Sequence, residues 1–188
     1  PIIRDRIFVF GSLQARLRSD PQQTLLSAGD ADYARLGVSP DSVTRFLGLA
    51  NLLGVRPLSV TGGATRASDN LSGLVRLDLV LSNEHTLTLR GDWRGNSQDP
   101  ARLGPLALPQ SGGEVTSSGG GAMATLSLRF GATVLNEFRG YLQNSRSDGG
   151  AYSEVPQGRV QVTSLLPDST RGVTTLVFGG TSGMPTRS

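Results

Sequence analysis

The amino-acid sequence predicts an all-β fold: an antiparallel up-and-down sheet forming an arc of an outer-membrane β-barrel, with a short helical loop insert. Three observations lead there. The first is a pair of alternating stretches joined by a very short turn. Leu71, Gly73, Val75, Leu77, Leu79 and Leu81 are apolar or small, with Arg76 and Asp78 between them. After Ser82-Asn83-Glu84-His85 the pattern resumes, Leu87, Leu89, Gly91 and Trp93 alternating with Thr86, Thr88, Arg90, Asp92 and Arg94. Side chains along a strand point to opposite faces in turn, so each strand carries one apolar and one charged face. The second observation is length, since about 9–11 residues let a tilted strand cross a bilayer. The third is that long and short connections alternate along the chain, as the outer loops and periplasmic turns of bacterial barrels do.

The elements follow in order. In the first predicted strand Ile7, Val9, Gly11, Leu13, Ala15 and Leu17 alternate with Phe8, Phe10, Ser12, Gln14, Arg16 and Arg18, and Pro21 ends the run. Residues 22–54 are the predicted helical insert. Ser39 is a natural N-cap with Pro40 at the first helical position. Val43, Phe46, Leu47, Ala50 and Leu53 then recur at helical spacing up to Gly54, and a weaker helix covers Asp30–Leu36 up to Gly37. Thr61–Thr65 reads as a turn or strand end. Beyond the hairpin, residues 95–121 contain Pro100, Pro105, Pro109 and two glycine runs and are expected to be a long extracellular loop. Strands follow over Ala122–Phe130 and Val134–Asn144, with a turn at Gly131-Ala132. A second extracellular loop is expected over residues 145–157, then strands at Arg159–Ser164 and Gly172–Phe178. The turns at Ser82–His85, Gly131–Ala132 and Pro167–Arg171 are expected at the periplasmic end. Residues 1–188 together are read as one partial barrel domain.

Composition narrows the possibilities. Hydrophobic residues make up 37 %, aromatics 5 %, and glycines number 25, a lean supply for a soluble core of 188 residues. No stretch approaches the ~18 apolar residues of a transmembrane helix, which leaves strands as the spanning element. All 18 basic residues are Arg and the net charge is +3, with the arginines spread along the chain. A nucleic-acid partner would call for a concentrated basic patch with stacking aromatics, so none is expected. There is no Cys, hence no disulfide, thiolate metal site or cysteine nucleophile. The sequence opens on Pro1 without a signal peptide, the mark of a processed or excised segment.

Pro1-Ile2-Ile3-Arg4-Asp5-Arg6-Ile7-Phe8-Val9-Phe10-Gly11-Ser12 resembles the stretch G-G-P-I-x-[KR]-[DN]-[KR]-x-F-[FV]-F. That stretch opens the barrel of TonB-dependent receptors of the Oar-like type, which carry a carboxypeptidase-regulatory-like domain. His85-Thr86-Leu87-Thr88-Leu89-Arg90-Gly91-Asp92-Trp93 is similar to the early barrel strands of the same family. The resemblance implies a 22-stranded barrel around an internal plug, energised by an inner-membrane complex. These 188 residues hold no TonB box, plug or regulatory domain. By that resemblance they form one section of a ligand-uptake receptor in the cell outer membrane of a Gram-negative-type bacterium. Its partners would be outer-membrane lipid, the plug domain, the remaining barrel strands and the energising complex.

The facing pattern assigns residues. Arg76, Asp78, Arg90, Asp92, Arg94, Arg129, Glu137 and Arg139 are expected on the lumen face as a ladder of cross-strand ion pairs. Val75, Leu77, Leu79, Leu87, Leu89, Leu126 and Leu128 are expected on the lipid face. Trp93 and Phe130 are candidates for the aromatic girdles. No enzyme is expected. His85 is the only His, no G-x-S-x-G surrounds any Ser, and no Lys completes a phosphate loop. Asp78 and Asp92 each stand two residues from an Arg on the same face, the setting of an ion pair rather than a general acid. Neither a metal nor a cofactor is expected. The alternative is a soluble all-β binding or adhesion module whose apolar face packs on a second sheet.

Overall fold

A computed structural model describes residues 2–55 and 65–181. In chain order the elements are β1 (Ile7–Pro21), α1 (Asp30–Arg35), α2 (Pro40–Leu52), β2 (Thr65–Val80) and β3 (His85–Ala101). A 3-10 turn at Pro109–Ser111 precedes β4 (Gly113–Phe130), β5 (Val134–Ala151), β6 (Gly158–Leu165) and β7 (Arg171–Phe178). The protein is thus mostly antiparallel β-sheet with two short helices. β1 to β5 pair in chain order in one five-stranded sheet, and β6 with β7 forms a separate antiparallel pair. Pro1 of the family-like motif and residues 61–64 of the expected turn lie outside the described residues.

The strands form where alternation predicted them, but four run markedly further, β2 beginning at Thr65 rather than Leu71. β3 continues to Ala101, β4 begins at Gly113 and β5 reaches Ala151. The expected loops over 95–121 and 145–157 therefore shrink to residues 102–112 and 152–157. Backbone ladder hydrogen bonds need no particular side chain, so pairing propagates through Ser, Asn and Gly residues whose composition reads as loop. A second correction concerns β6 and β7, which leave the meander instead of extending it. The up-and-down sheet has five strands, and among the described residues it does not close into a barrel.

Backbone and side-chain contacts together fix the register of the meander. The Leu81 amide donates to the His85 carbonyl at 2.9 Å. Further along the same pairing, Thr88 Oγ1 donates to Asp78 Oδ1 at 2.7 Å, and Asn70 and Asn96 join by their amides. Between β3 and β4 the Arg129 amide donates to the Glu84 carbonyl at 2.8 Å, and Asn96 Nδ2 reaches Ser117 Oγ at 3.4 Å. Between β1 and β2 the Val80 amide donates to the Arg6 carbonyl at 2.8 Å, and Leu13 packs over Gly73.

Two compact units divide the chain. The first comprises Pro1–Leu17, Asp69–Ser97 and Thr116–Ser147, the parts of β1 to β5 nearest the tight turns. Among its described residues none is buried.

The second unit comprises Arg18–Ser68, Gln98–Val115 and Asp148–Ser188, and it has the core. Leu25, Val38, Val43, Phe46, Ala50, Val55, Leu108 and Leu176 form one buried cluster. α2 enters it through Val43, Phe46 and Ala50, the helical spacing seen in the sequence. The Ser39 side chain caps α2 by accepting from the Ser42 amide at 3.3 Å, with Pro40 behind it. Gly37 and Gly54 sit at φ 76° and 78°, the left-handed turns that follow each helix. Phe46 meets the Phe178 ring edge-on at 6.0 Å between centroids. Ser164 Oγ donates to Ser42 Oγ at 2.9 Å, linking β6 to the start of α2. The Pro167–Arg171 turn thus belongs to the unit of the helical insert, not to the unit holding the Ser82–His85 and Gly131–Ala132 turns.

Candidate functional site: two faces of one sheet

The first unit offers two surfaces, and the pleat divides them by chemistry. On one face a Cβ at Gly73 would touch the Leu13 side chain, and one at Gly91 would touch Val75 Cγ1 at 3.6 Å. Those contacts put odd-numbered residues of β1, β2 and β3 on a common face. The Asn96–Ser117 contact and the Tyr141 ring beside Gly121 carry the assignment to β4 and β5. All seven residues expected on the lipid face, Val75, Leu77, Leu79, Leu87, Leu89, Leu126 and Leu128, share this apolar face. None is buried; Val75 and Leu89 are exposed and the others half-buried. Leu13, Leu17 and Leu142 stand on the same face with 77 %, 79 % and 78 % of their surface open.

A shallow depression of about 810 Å³ crosses this face over all five strands. It exists because Gly91, Ala122, Ala124 and Gly140 carry little or no side chain between Val75, Leu89 and Leu142. Trp93 and Phe130 also lie on the apolar face, near its opposite ends. Trp93 stands beside Gly120, and Phe130 is ten residues further along β4, edge-on to the His85 ring at 6.4 Å.

The other face gathers the eight charged residues expected in the lumen, Arg76, Asp78, Arg90, Asp92, Arg94, Arg129, Glu137 and Arg139. Their pairing differs from the expected cross-strand ladder. Arg76 Nε binds Asp78 at 3.0 Å and Arg139 binds Glu137, each within its own strand. The register explains why: Arg76 lies beside Arg90 on β3, so the available carboxylate is two residues along its own strand. Asp78 instead accepts across the strands from Thr88. Among the described residues, no ion pair or hydrogen bond reaches the side chains of Arg90, Asp92 or Arg94. They open instead into a second concavity of about 430 Å³ with Phe10, Gln14 and Ser72.

His85 Nδ1 lies 2.9 Å from Ser82 Oγ, but that hydroxyl also accepts from the Glu84 and His85 amides. The cluster is therefore a side-chain-capped turn. Among the described residues no three His, Asp or Glu side chains converge as a metal site would require. What sequence reasoning missed is the Gln14–Ser72–Arg94 cleft, because it is assembled across three strands and no single strand shows it.

No known protein family, no curated protein and no solved structure matches this chain. The likeness to TonB-dependent receptors therefore rests on the residues of the opening motif and the His85–Trp93 strand.

Proposed function

We propose that this chain is a section of the wall of an outer-membrane β-barrel, of the TonB-dependent receptor type that its opening motif resembles. The supporting observation is the first unit, a five-stranded sheet with one apolar and one charged face and no buried residue among those described. Such a sheet has no core of its own to hold it together in water. Hydrocarbon against the apolar face and a wet lumen against the charged one meet both demands.

The dimensions agree. From the level of Trp93 to Phe130 is ten residues, about 34 Å along the strand. At a tilt of about 40–45° that is roughly 25 Å along the membrane normal, the height of the apolar band in such barrels. Outer-membrane lipid is then the partner of the apolar face. Further wall strands pair with the outer edges of β1 and β5, because unpaired backbone groups are costly in hydrocarbon. The plug and the energising inner-membrane complex are partners of the whole receptor. The role is ligand uptake in the outer membrane, without catalysis.

The soluble alternative needs a second sheet against the apolar face. Among the described residues, the buried cluster contains no residue of that face. Cell fractionation tests the choice, using an antibody to residues 102–112 on cells that make the protein. Recovery in the outer-membrane fraction after a high-salt or carbonate wash supports the wall. Recovery in a soluble fraction overturns it in favour of the binding module.

A further inference from the structure

The charged face carries three charged side chains that, among the described residues, enter no ion pair or hydrogen bond. Arg90, Asp92 and Arg94 follow one another on the same face of β3, so their sign alternates plus, minus, plus at intervals of about 7 Å. Arg90 and Arg94 are exposed and Asp92 is half-buried. On the β4 side, counting from the Asn96–Ser117 contact, Arg94 lies beside Gly119 and Asp92 beside Gly121. Gly119 leaves the Arg94 side open, while the Tyr141 ring lies over Gly121 beside Asp92 and adds a hydroxyl there. On the β2 side the same counting puts Arg94 beside Ser72 and Arg90 beside Arg76, whose guanidinium Asp78 already holds. Gln14 and Ser72 add hydrogen-bonding groups and Phe10 an apolar wall, within a concavity of about 430 Å³. That volume falls in the range of roughly 300–1,000 Å³ typical of small-molecule sites.

We propose that this cleft binds a short zwitterionic solute of dipeptide size, its ammonium on Asp92 and its carboxylate on Arg90 or Arg94. An extended dipeptide places its terminal charges about 7 Å apart, matching the interval along β3. The arginine left over takes a second carboxylate on the other side of the ammonium, so a dipeptide with an acidic first residue fits better than a neutral one. Planar guanidinium groups grip carboxylates through two parallel hydrogen bonds, which a mobile surface ion pair does not replace. The cleft lies within one face of one unit, so the inference does not depend on whether the opposite face meets lipid.

Isothermal titration of the folded protein tests it with three probes: glutamyl-alanine, its N-acetylated form, and inorganic phosphate. The expected order is glutamyl-alanine tightest, with the acetylated form weaker by about tenfold, one charge-assisted contact. Asp92→Asn should remove that difference, and Arg94→Gln should weaken both peptides by about tenfold. Arg139→Gln should leave binding unchanged, because Glu137 already engages that guanidinium. Equal affinity for phosphate and the dipeptide overturns the proposal in favour of a general anion surface. No binding, or binding indifferent to Asp92→Asn and Arg94→Gln in protein of unchanged circular dichroism, overturns it outright.

Discussion

Leu89 and Arg90 are neighbours in sequence and lie on opposite faces of the sheet, and that contrast is testable one residue at a time. Leu77→Arg or Leu89→Arg places a guanidinium on the apolar face, where mid-bilayer exposure costs about 2–4 kcal/mol. Ser127→Arg puts the same group on the charged face near Glu137 and costs little. Assembly of the intact protein into outer membrane, followed by protease resistance, should fall for the first two variants and hold for the third. Equal assembly of all three would contradict the facing assignment. These side-chain directions were legible in the sequence because a period of two fixes them. The partners were not: Asp78 receives Thr88 across the strand and Arg76 along it, a choice set by register.

A single turn gives a prediction of a different kind. Asp168 is held below the usual carboxylate range, chiefly by the Thr170 hydroxyl, which donates to Oδ1 at 2.6 Å, and then by the Thr170 amide at 3.0 Å. A lowered folded value means the contact supports the β6–β7 turn above the unfolded pKa and is lost as pH falls through the folded one. Thr170→Val removes the leading donor, so the Asp168 carboxyl should titrate nearer its ordinary value. Carbon-detected NMR titration of that carboxyl reads the change, and an unmoved midpoint would contradict the assignment.

At the scale of the element, the helical insert was legible almost to the residue. Ser39, Pro40 and Gly54 are local signals, and α2 needs little beyond them to be placed. Its packing partner was not legible, because the Ser42–Ser164 contact joins residues far apart in the chain. Ser164 is buried, so Ser42→Ala removes the acceptor of its hydroxyl and should destabilise the second unit by about 1–3 kcal/mol. Ser39→Ala, which removes the cap, should cost about 1 kcal/mol. Phe46→Ala, which removes the ring packed on Phe178, should cost roughly 3–5 kcal/mol. Denaturant unfolding followed through helical circular dichroism reads all three, and the order Phe46, Ser42, Ser39 is expected. Strand length was the element-scale failure. Ser, Asn and Gly extend β3, β4 and β5 because the neighbouring backbone supplies their hydrogen bonds, a long-range cause that a local reading turns into loops.

For the whole molecule, the sequence carried the mostly antiparallel β architecture with its short helices but not the departure of β6 and β7 from the meander. Both strands alternate as wall strands do, and only their pairing with each other, Gly158 opposite Phe178 through Leu165 opposite Arg171, sets them apart. The central claim is that the apolar face of the five-stranded sheet touches lipid. Because the chain has no Cys, single cysteines at positions 87, 88, 89 and 90 can carry nitroxide labels without background. Collision with dissolved oxygen reports hydrocarbon, and collision with a water-soluble nickel complex reports water. In the membrane-assembled protein, labels at 87 and 89 should be open to oxygen and closed to nickel, with 88 and 90 reversed. Labels at 87 and 89 closed to both reagents would place that face inside a protein core and contradict the account.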